Sequence, residues 1–329
     1  MGGVRRASGP VPVLPGLDQP PPPGSRTVRT DDGVDLHVEV DEAVGRSDPD
    51  ALTVVLSHGF TARLAEWELQ RAALRSRARL VLWDQRGHGR SGWADPRSAT
   101  IDRTGRDLGE VLDAVAPRGP VVLAGHSMGG MSTMALARQR PELFGTRVAG
   151  VFLLATSAGG LVGSGLLGRA VGLVRRLHLL PLYLALLRLC APALERYRRR
   201  GTAAGRWFTR RYLFGRHDRD PARVRLVQRL LEETPYPIVM AFYATFLDHD
   251  ETASLPVLGR VPVTVVAAAE DRLTPAAHGR RLAELIGPSA ELVVVPGAGH
   301  SVNLTRTEAV DEAFLRLLDR VEAGRRDAG

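Results

Sequence analysis

Val121-Val122-Leu123-Ala124-Gly125-His126-Ser127-Met128-Gly129-Gly130 reads as a strand, a sharp turn and the opening of a helix. The leading residues are apolar and two are β-branched, as a buried strand requires. Beyond the turn, Met134, Ala135, Leu136 and Ala137 are good helix formers. Between strand and helix stands Gly-x-Ser-x-Gly. A serine on so tight a turn takes strained backbone angles, and a side chain two positions away on either side would collide with the neighbouring strand or helix. Glycine at 125 and 129 removes both collisions. Such a turn pushes the Ser127 hydroxyl beyond the sheet edge and aims the Met128 N–H, in the first helical turn, at developing negative charge. Ser127 is therefore a candidate nucleophile, provided that a base and an acid follow it.

Working outward, residues 27–30 and 34–40 alternate around Asp31-Asp32-Gly33 and predict an antiparallel opening to a sheet. The continuous apolar run at 53–57 predicts a strand buried on both faces, ending in His58-Gly59-Phe60. A helix over 64–75 and a strand over 80–83 follow, the latter ending in the charged, Gly-rich turn Asp84-Gln85-Arg86-Gly87-His88-Gly89-Arg90-Ser91; a helix over 102–115 then leads into the elbow strand. After a strand at 148–155 the alternation stops for about a hundred residues. It resumes with a strand at 263–267, the turn Glu270-Asp271-Arg272-Leu273-Thr274-Pro275, a helix over 279–286 and a strand over 292–295. Pro296-Gly297-Ala298-Gly299-His300 comes next, and an amphipathic helix over 308–321 closes the chain. Strand and helix in turn predict an α/β fold with a mainly parallel, doubly wound sheet. Ser127, Asp271 and His300 all fall just past the C-terminal ends of predicted strands, the edge where open α/β sheets place their sites.

The composition narrows the alternatives. A chain of 329 residues with 44% apolar content can bury one large core, so one domain carrying an insertion is the simplest fit. The lone Cys190 has no partner for an internal disulfide and is expected as a small buried apolar residue in its leucine-rich stretch. Nine histidines without H-x-H or H-E-x-x-H spacing, and a single Cys, give no metal site, and no cofactor is expected. The net charge of +8 is carried entirely by arginine, because the sequence contains no lysine. Residues 161–225 hold fifteen Arg against Glu195, Asp218 and Asp220, so the rest of the chain is net acidic. Charge confined to one segment argues against a nucleic-acid binder. It points to solvated helix faces or to a surface that the segment itself meets.

These features divide the chain into a Pro-rich leader (1–26), an α/β core (27–156 and 250–321), a helical insert (157–249) and a polar tail (322–329). The leader is expected to be extended or disordered. Arg5 and Arg6 are not followed by the apolar stretch of a secretory signal, so a cytoplasmic location is expected. In the insert, Leu166, Ala170, Leu173 and Leu177 form a stripe at helical spacing. The simpler expectation is that it faces inward and roofs a pocket; the alternative is that part of it meets an anionic lipid surface with the help of Arg169, Arg175 and Arg176. Arginines interrupt every apolar run before it reaches membrane-spanning length. His58 and His88 are expected to hold loops rather than move protons, His126 to pack beneath the elbow, and Asp248-His249-Asp250 to be a solvated helix end. Trp67 is expected either to line the pocket or to pack a helix.

Taken together, His58-Gly59-Phe60, the turn from Asp84 to Ser91, the elbow from Gly125 to Gly130, Glu270-Asp271 with Pro275, and Gly299-His300 resemble the α/β-hydrolase superfamily. The likeness is to its capped serine esterase and lipase branch, including carboxylesterases and monoacylglycerol lipases, and covers 27–321. The resemblance implies Ser127 as nucleophile, His300 as general base and then acid, and Asp271 as the group that orients the imidazole. It implies an oxyanion hole from the backbone N–H groups of Phe60 and Met128, and a cap at 157–249. One departure is Ala268, where the family usually has Gly three residues before the acid. Relatives that open epoxides or displace halide carry Asp at the nucleophile position, which Ser127 argues against. The expected reaction is hydrolysis of carboxylic esters with medium to long acyl chains through an acyl-enzyme. Acyl transfer or perhydrolysis by the same triad is the enzymatic alternative, and a catalytically silent ligand-binding protein on the same fold is the alternative of another class.

Overall fold

In the computed structural model, residues 16–43, 51–93, 95–161, 203–216, 218 and 220–328 are described, with scattered positions between 173 and 190. The strands are β1 (Ser25–Arg29), β2 (Asp35–Asp41), β3 (Thr53–Ser57), β4 (Arg79–Trp83), β5 (Val121–His126), β6 (Val148–Leu154), β7 (Val263–Ala268) and β8 (Ala290–Val295). They make one sheet in the order β1-β2-β4-β3-β5-β6-β7-β8. β1 and β2 pair antiparallel, as do β2 and β4, and every other neighbouring pair is parallel. The antiparallel opening and parallel remainder are those the sequence predicts.

The two-residue side-chain period of the strands divides the core into two layers. Val55, Val81, Leu123, Val151 and Val265 face one side, where helices α2 (Ile101–Val115) and α3 (Met128–Gln139) pack. Val54, Leu56, Leu82, Ala124 and Phe152 face the other side, against α1 (Glu68–Leu74) and the closing helix α8 (Thr307–Ala328). Phe152 stacks on Phe314 of α8 with ring centroids 4.2 Å apart. Strands sandwiched in this way need apolar residues at consecutive positions, which explains their continuous hydrophobic runs. α8 continues through the residues expected as a polar tail. Glu322, Ala323, Arg325 and Arg326 favour helix, and the single Gly324 costs only about 1 kcal/mol.

Strand order reverses between β3 and β5: from β3 the chain moves to β4 on one side, then crosses back to β5 on the other. The loop after β3 and the elbow after β5 therefore face one another across a switch point, where α/β sheets leave a crevice. Arg86, in the turn after β4, fixes the surroundings. Its buried guanidinium pairs with Asp107 of α2 (2.6 Å) and with Asp32 of the β1–β2 turn (2.9 Å). Arg90 donates to the carbonyls of Gly16 (3.1 Å) and Gln19 (2.6 Å), which ties the described end of the Pro-rich leader to the same turn.

The segment between β6 and β7 carries α4 (Ala203–Leu213), α5 (Pro221–Glu233) and α6 (Tyr236–Leu247) among its described residues, and α7 (Ala276–Ile286) follows between β7 and β8. Its two ends meet: Gly159 and Asp250 form an antiparallel bridge, and Glu251 N donates to Ala158 O at 2.6 Å. Of the leucine stripe, Leu166 and Ala170 lie outside the described residues, as do Arg169 and Arg175. Leu173 and Leu177 do not roof a pocket; they are 58% and 56% exposed. Cys190 is likewise exposed rather than buried, because the leucines beside it, Leu186 and Leu189, also face outward. No helix among the described residues is long and apolar enough to cross a membrane.

Candidate active site

Ser127 sits at φ +50° and ψ −112°, a conformation rare for a residue with a side chain, between the end of β5 and the start of α3. The glycines around it are required by close backbone approach. A Cβ on Gly125 would lie 2.4 Å from the Gly129 carbonyl, and one on Gly129 would lie 2.2 Å from the Ser57 carbonyl oxygen of β3. The turn is anchored by Ser127 N donating to Leu154 O (2.9 Å) and by the Thr156 hydroxyl donating to Ser127 O (2.7 Å). Strain of this kind persists only where neighbours over-determine it.

The structure brings Ser127, His300 and Asp271 into one hydrogen-bonded chain. Ser127 Oγ lies 3.0 Å from His300 Nε2, and His300 Nδ1 lies 2.7 Å from Asp271 Oδ2. Asp271 uses its other oxygen to accept from the N–H groups of Leu273 (2.8 Å) and Thr274 (3.0 Å), while the Thr274 hydroxyl stands 2.9 Å from Oδ2. Burial alone would raise the Asp271 carboxyl, but the facing His300 and these hydrogen bonds outweigh it and hold the group below its ordinary value. A carboxylate so fixed imposes a proton on His300 Nδ1 and leaves Nε2 as an acceptor toward the serine hydroxyl.

The loop holding His300 is clamped by the insert. A Cβ on Gly299 would come 2.4 Å from the Phe214 backbone, and Ser301 N donates to Leu213 O at 2.9 Å. Met128 opens α3, so its N–H belongs to the group that a helix leaves without an intrahelical acceptor. Phe60 follows β3 across the crevice, its ring held edge-on to Phe246 (5.0 Å between centroids). Between Phe60, His300 and the insert lies a cavity of about 40 Å³, walled by Leu213, Val227, Leu230, Leu231 and Leu304.

The remaining histidines divide. His58 Nε2 accepts from Gln85 N (2.9 Å), so its Nδ1–H donates to Gly59 O (2.7 Å); burial lowers its basicity, and the ring is a neutral loop brace. Burial, with His58 nearby, pushes His88 down to about 3. His249 is not part of a solvated helix end: it is buried, and its Nε2 lies 3.0 Å from Ser157 O at the root of the insert. Trp67 packs in the core edge-on to His126 at 6.5 Å. Two residues at the site escape sequence reasoning. Thr274 and Glu66 carry no motif of their own, and only the fold brings Glu66 to His126, which it meets at 2.5 Å.

The sheet order, the elbow and the Ser-His-Asp chain together define a hydrolase of the α/β class. The profile of the Alpha/beta hydrolase family matches residues 54–313, and the chain belongs to that family. It is 30% identical over 300 residues to RutD of Caulobacter sp. (strain K31), a protein named for carbamate hydrolysis, covering 84% of this chain and 94% of that one. Its fold is similar to that of a thermophilic esterase from Thermogutta terrifontis (TM-score 0.69, 24% identity, 90% of this chain and 98% of that one). The enol-lactonase from Burkholderia xenovorans LB400 gives a TM-score of 0.71 at 23% identity, covering 89% of this chain and 100% of that one.

Proposed function

We propose that the protein hydrolyses carboxylic esters through an acyl-enzyme on Ser127. The observation that carries this reading is the 3.0 Å contact between Ser127 Oγ and an imidazole nitrogen whose opposite side is fixed by a buried carboxylate. Ser127 Oγ attacks the ester carbonyl carbon as its proton passes to His300 Nε2, and the N–H groups of Phe60 and Met128 receive the oxyanion. The C–O bond to the alcohol breaks as His300 returns the proton to the leaving oxygen. Water then attacks the acyl-enzyme with His300 again as base; the acid leaves and Ser127 regains its proton.

The aliphatic walls of the cavity beside His300 favour an apolar acyl group of medium to long chain, which would enter by displacing the insert side chains that now fill the space. A panel of p-nitrophenyl esters from acetate to laurate tests this, with a phenyl carbamate included because of the similarity to RutD. We expect kcat/KM to rise beyond the four-carbon chain. A maximum at acetate, or faster cleavage of the carbamate, contradicts the ester assignment in its finer form.

We further propose that the insert docks on anionic lipid surfaces, where such esters reside. In support, the large exposed apolar side chains among the described residues all fall between 173 and 208, with Leu182 at 67%, Leu189 at 79% and Trp207 at 62%. Arg176, Arg210 and Arg211 are exposed in the same segment, each worth about 1 kcal/mol near an anionic surface. The segment's surplus of arginine would oppose the approach of a second copy. Trp207 is the most exposed of the four tryptophans and a built-in reporter, since Trp67 and Trp83 are fully buried and Trp93 is half-buried against the core. Anionic phosphatidylglycerol vesicles should blue-shift and protect its fluorescence, and high salt or changing Arg176, Arg210 and Arg211 to Gln should reverse this. Equal binding to neutral phosphatidylcholine vesicles, no response, or self-association through this face contradicts docking.

A further inference from the structure

Glu66 and His126 are both almost wholly buried, yet neither belongs to the Ser-His-Asp chain. His126 Nδ1 lies 2.5 Å from Glu66 Oε1, and His126 Nε2 lies 3.1 Å from the carbonyl oxygen of His300. The other Glu66 oxygen accepts from Gly59 N at 2.7 Å, one residue before Phe60. One charge pair thus touches the loop bearing Phe60, the elbow beside Ser127 and the main chain of His300. The approach is close: a Cβ on Gly59 would fall 2.8 Å from His126 Nδ1, and the His126 and His300 rings are 4.9 Å apart.

The chemistry of the contacts favours one protonation state. The His300 carbonyl is an acceptor, so His126 Nε2 carries a proton; Nδ1 lies 2.5 Å from a carboxylate oxygen without a well-aligned hydrogen bond, a contact that a lone pair on Nδ1 would make repulsive and an N–H makes attractive. Gly59 N–H, donating to the other carboxylate oxygen, favours the ionised form of Glu66. The directions agree. Burial pulls the His126 imidazole down, but the Glu66 charge outweighs it and the group is raised; burial pushes Glu66 up, but His126 outweighs it and the carboxyl is lowered. The other charged or titratable groups acting on the pair are His58, His300 and Asp271.

We propose that the Glu66–His126 ion pair is a positioning device, with His126 held doubly protonated, that sets the Phe60 loop and His300 in register with Ser127. The role in turnover rests on the ester-hydrolase reading above; the protonation state does not. A buried charge pair costs desolvation, so one kept between three loops that must agree to a fraction of an ångström is spent on geometry.

Two measurements test it. In wild-type protein with ¹⁵N-labelled histidine, both ring nitrogens of His126 should be protonated at pH 7; a single ring N–H overturns the proposal whether or not the protein is an esterase. Glu66→Gln keeps the shape and an acceptor for Gly59 N–H but removes the charge. It should lower kcat about 10- to 100-fold with KM within about twofold, slow covalent labelling of Ser127 in proportion, and leave His126 with one ring N–H. Wild-type kcat in a folded Glu66→Gln protein overturns the proposal. Should that variant fail to fold, the wild-type spectrum decides. Failure of the ester-hydrolase reading itself looks different: wild-type protein then neither turns over nor labels.

Discussion

Replacing Ser127 by alanine should lower kcat on a p-nitrophenyl ester by about 10⁶, the scale seen when a triad nucleophile is removed. Alanine suffers the same backbone strain at φ +50° that serine does and fills nearly the same space, so the variant should keep the wild-type melting temperature. Residual rate enhancement over water should persist, because the N–H groups of Phe60 and Met128 and the apolar walls are untouched. The nearby Thr156 is no substitute nucleophile, since its hydroxyl is engaged with the Ser127 carbonyl at 2.7 Å. Retention of more than about one per cent of wild-type kcat would place the nucleophile elsewhere.

Asp271→Asn should cost about 10⁴ in kcat. The structure dictates how the new amide would sit. Leu273 N and Thr274 N both donate to one carboxylate oxygen, so the asparagine carbonyl must stay there and its NH₂ must turn toward His300. His300 Nδ1 would then have to accept, and the ring proton would move to Nε2, facing Ser127 Oγ where a base is needed. The protein should remain folded, because the backbone hydrogen bonds that shape the turn survive. Initial rates across neutral pH check this, and near-normal activity would assign the orienting role to another group.

Much of this was legible in the sequence because it rests on local rules. Gly125 and Gly129 are dictated by backbone atoms within 2.4 Å, and a constraint so tight leaves a fixed residue pattern. Strands buried on both faces write continuous apolar runs, so β3, β5 and β7 stand out, and with them the ends that carry Phe60, Ser127 and Asp271. What could not be read depends on long-range contact. Glu66 looks like any acidic residue opening a helix until the fold sets it against His126, and His249 looks solvated until Ser157 arrives beside it. The insert failed for another reason. A leucine stripe reports amphipathicity but not which side the apolar face takes, and at Leu173 and Leu177 it faces outward.

The central claim, that Ser127 is an activated nucleophile, is tested most directly by reacting native protein with a fluorophosphonate and locating the adduct by peptide mass spectrometry. The phosphonyl group should attach to Ser127 in native protein, not after heat denaturation, and should be absent from Ser127→Ala. Native protein that stays unmodified, or an adduct of equal yield in the alanine variant, would contradict it.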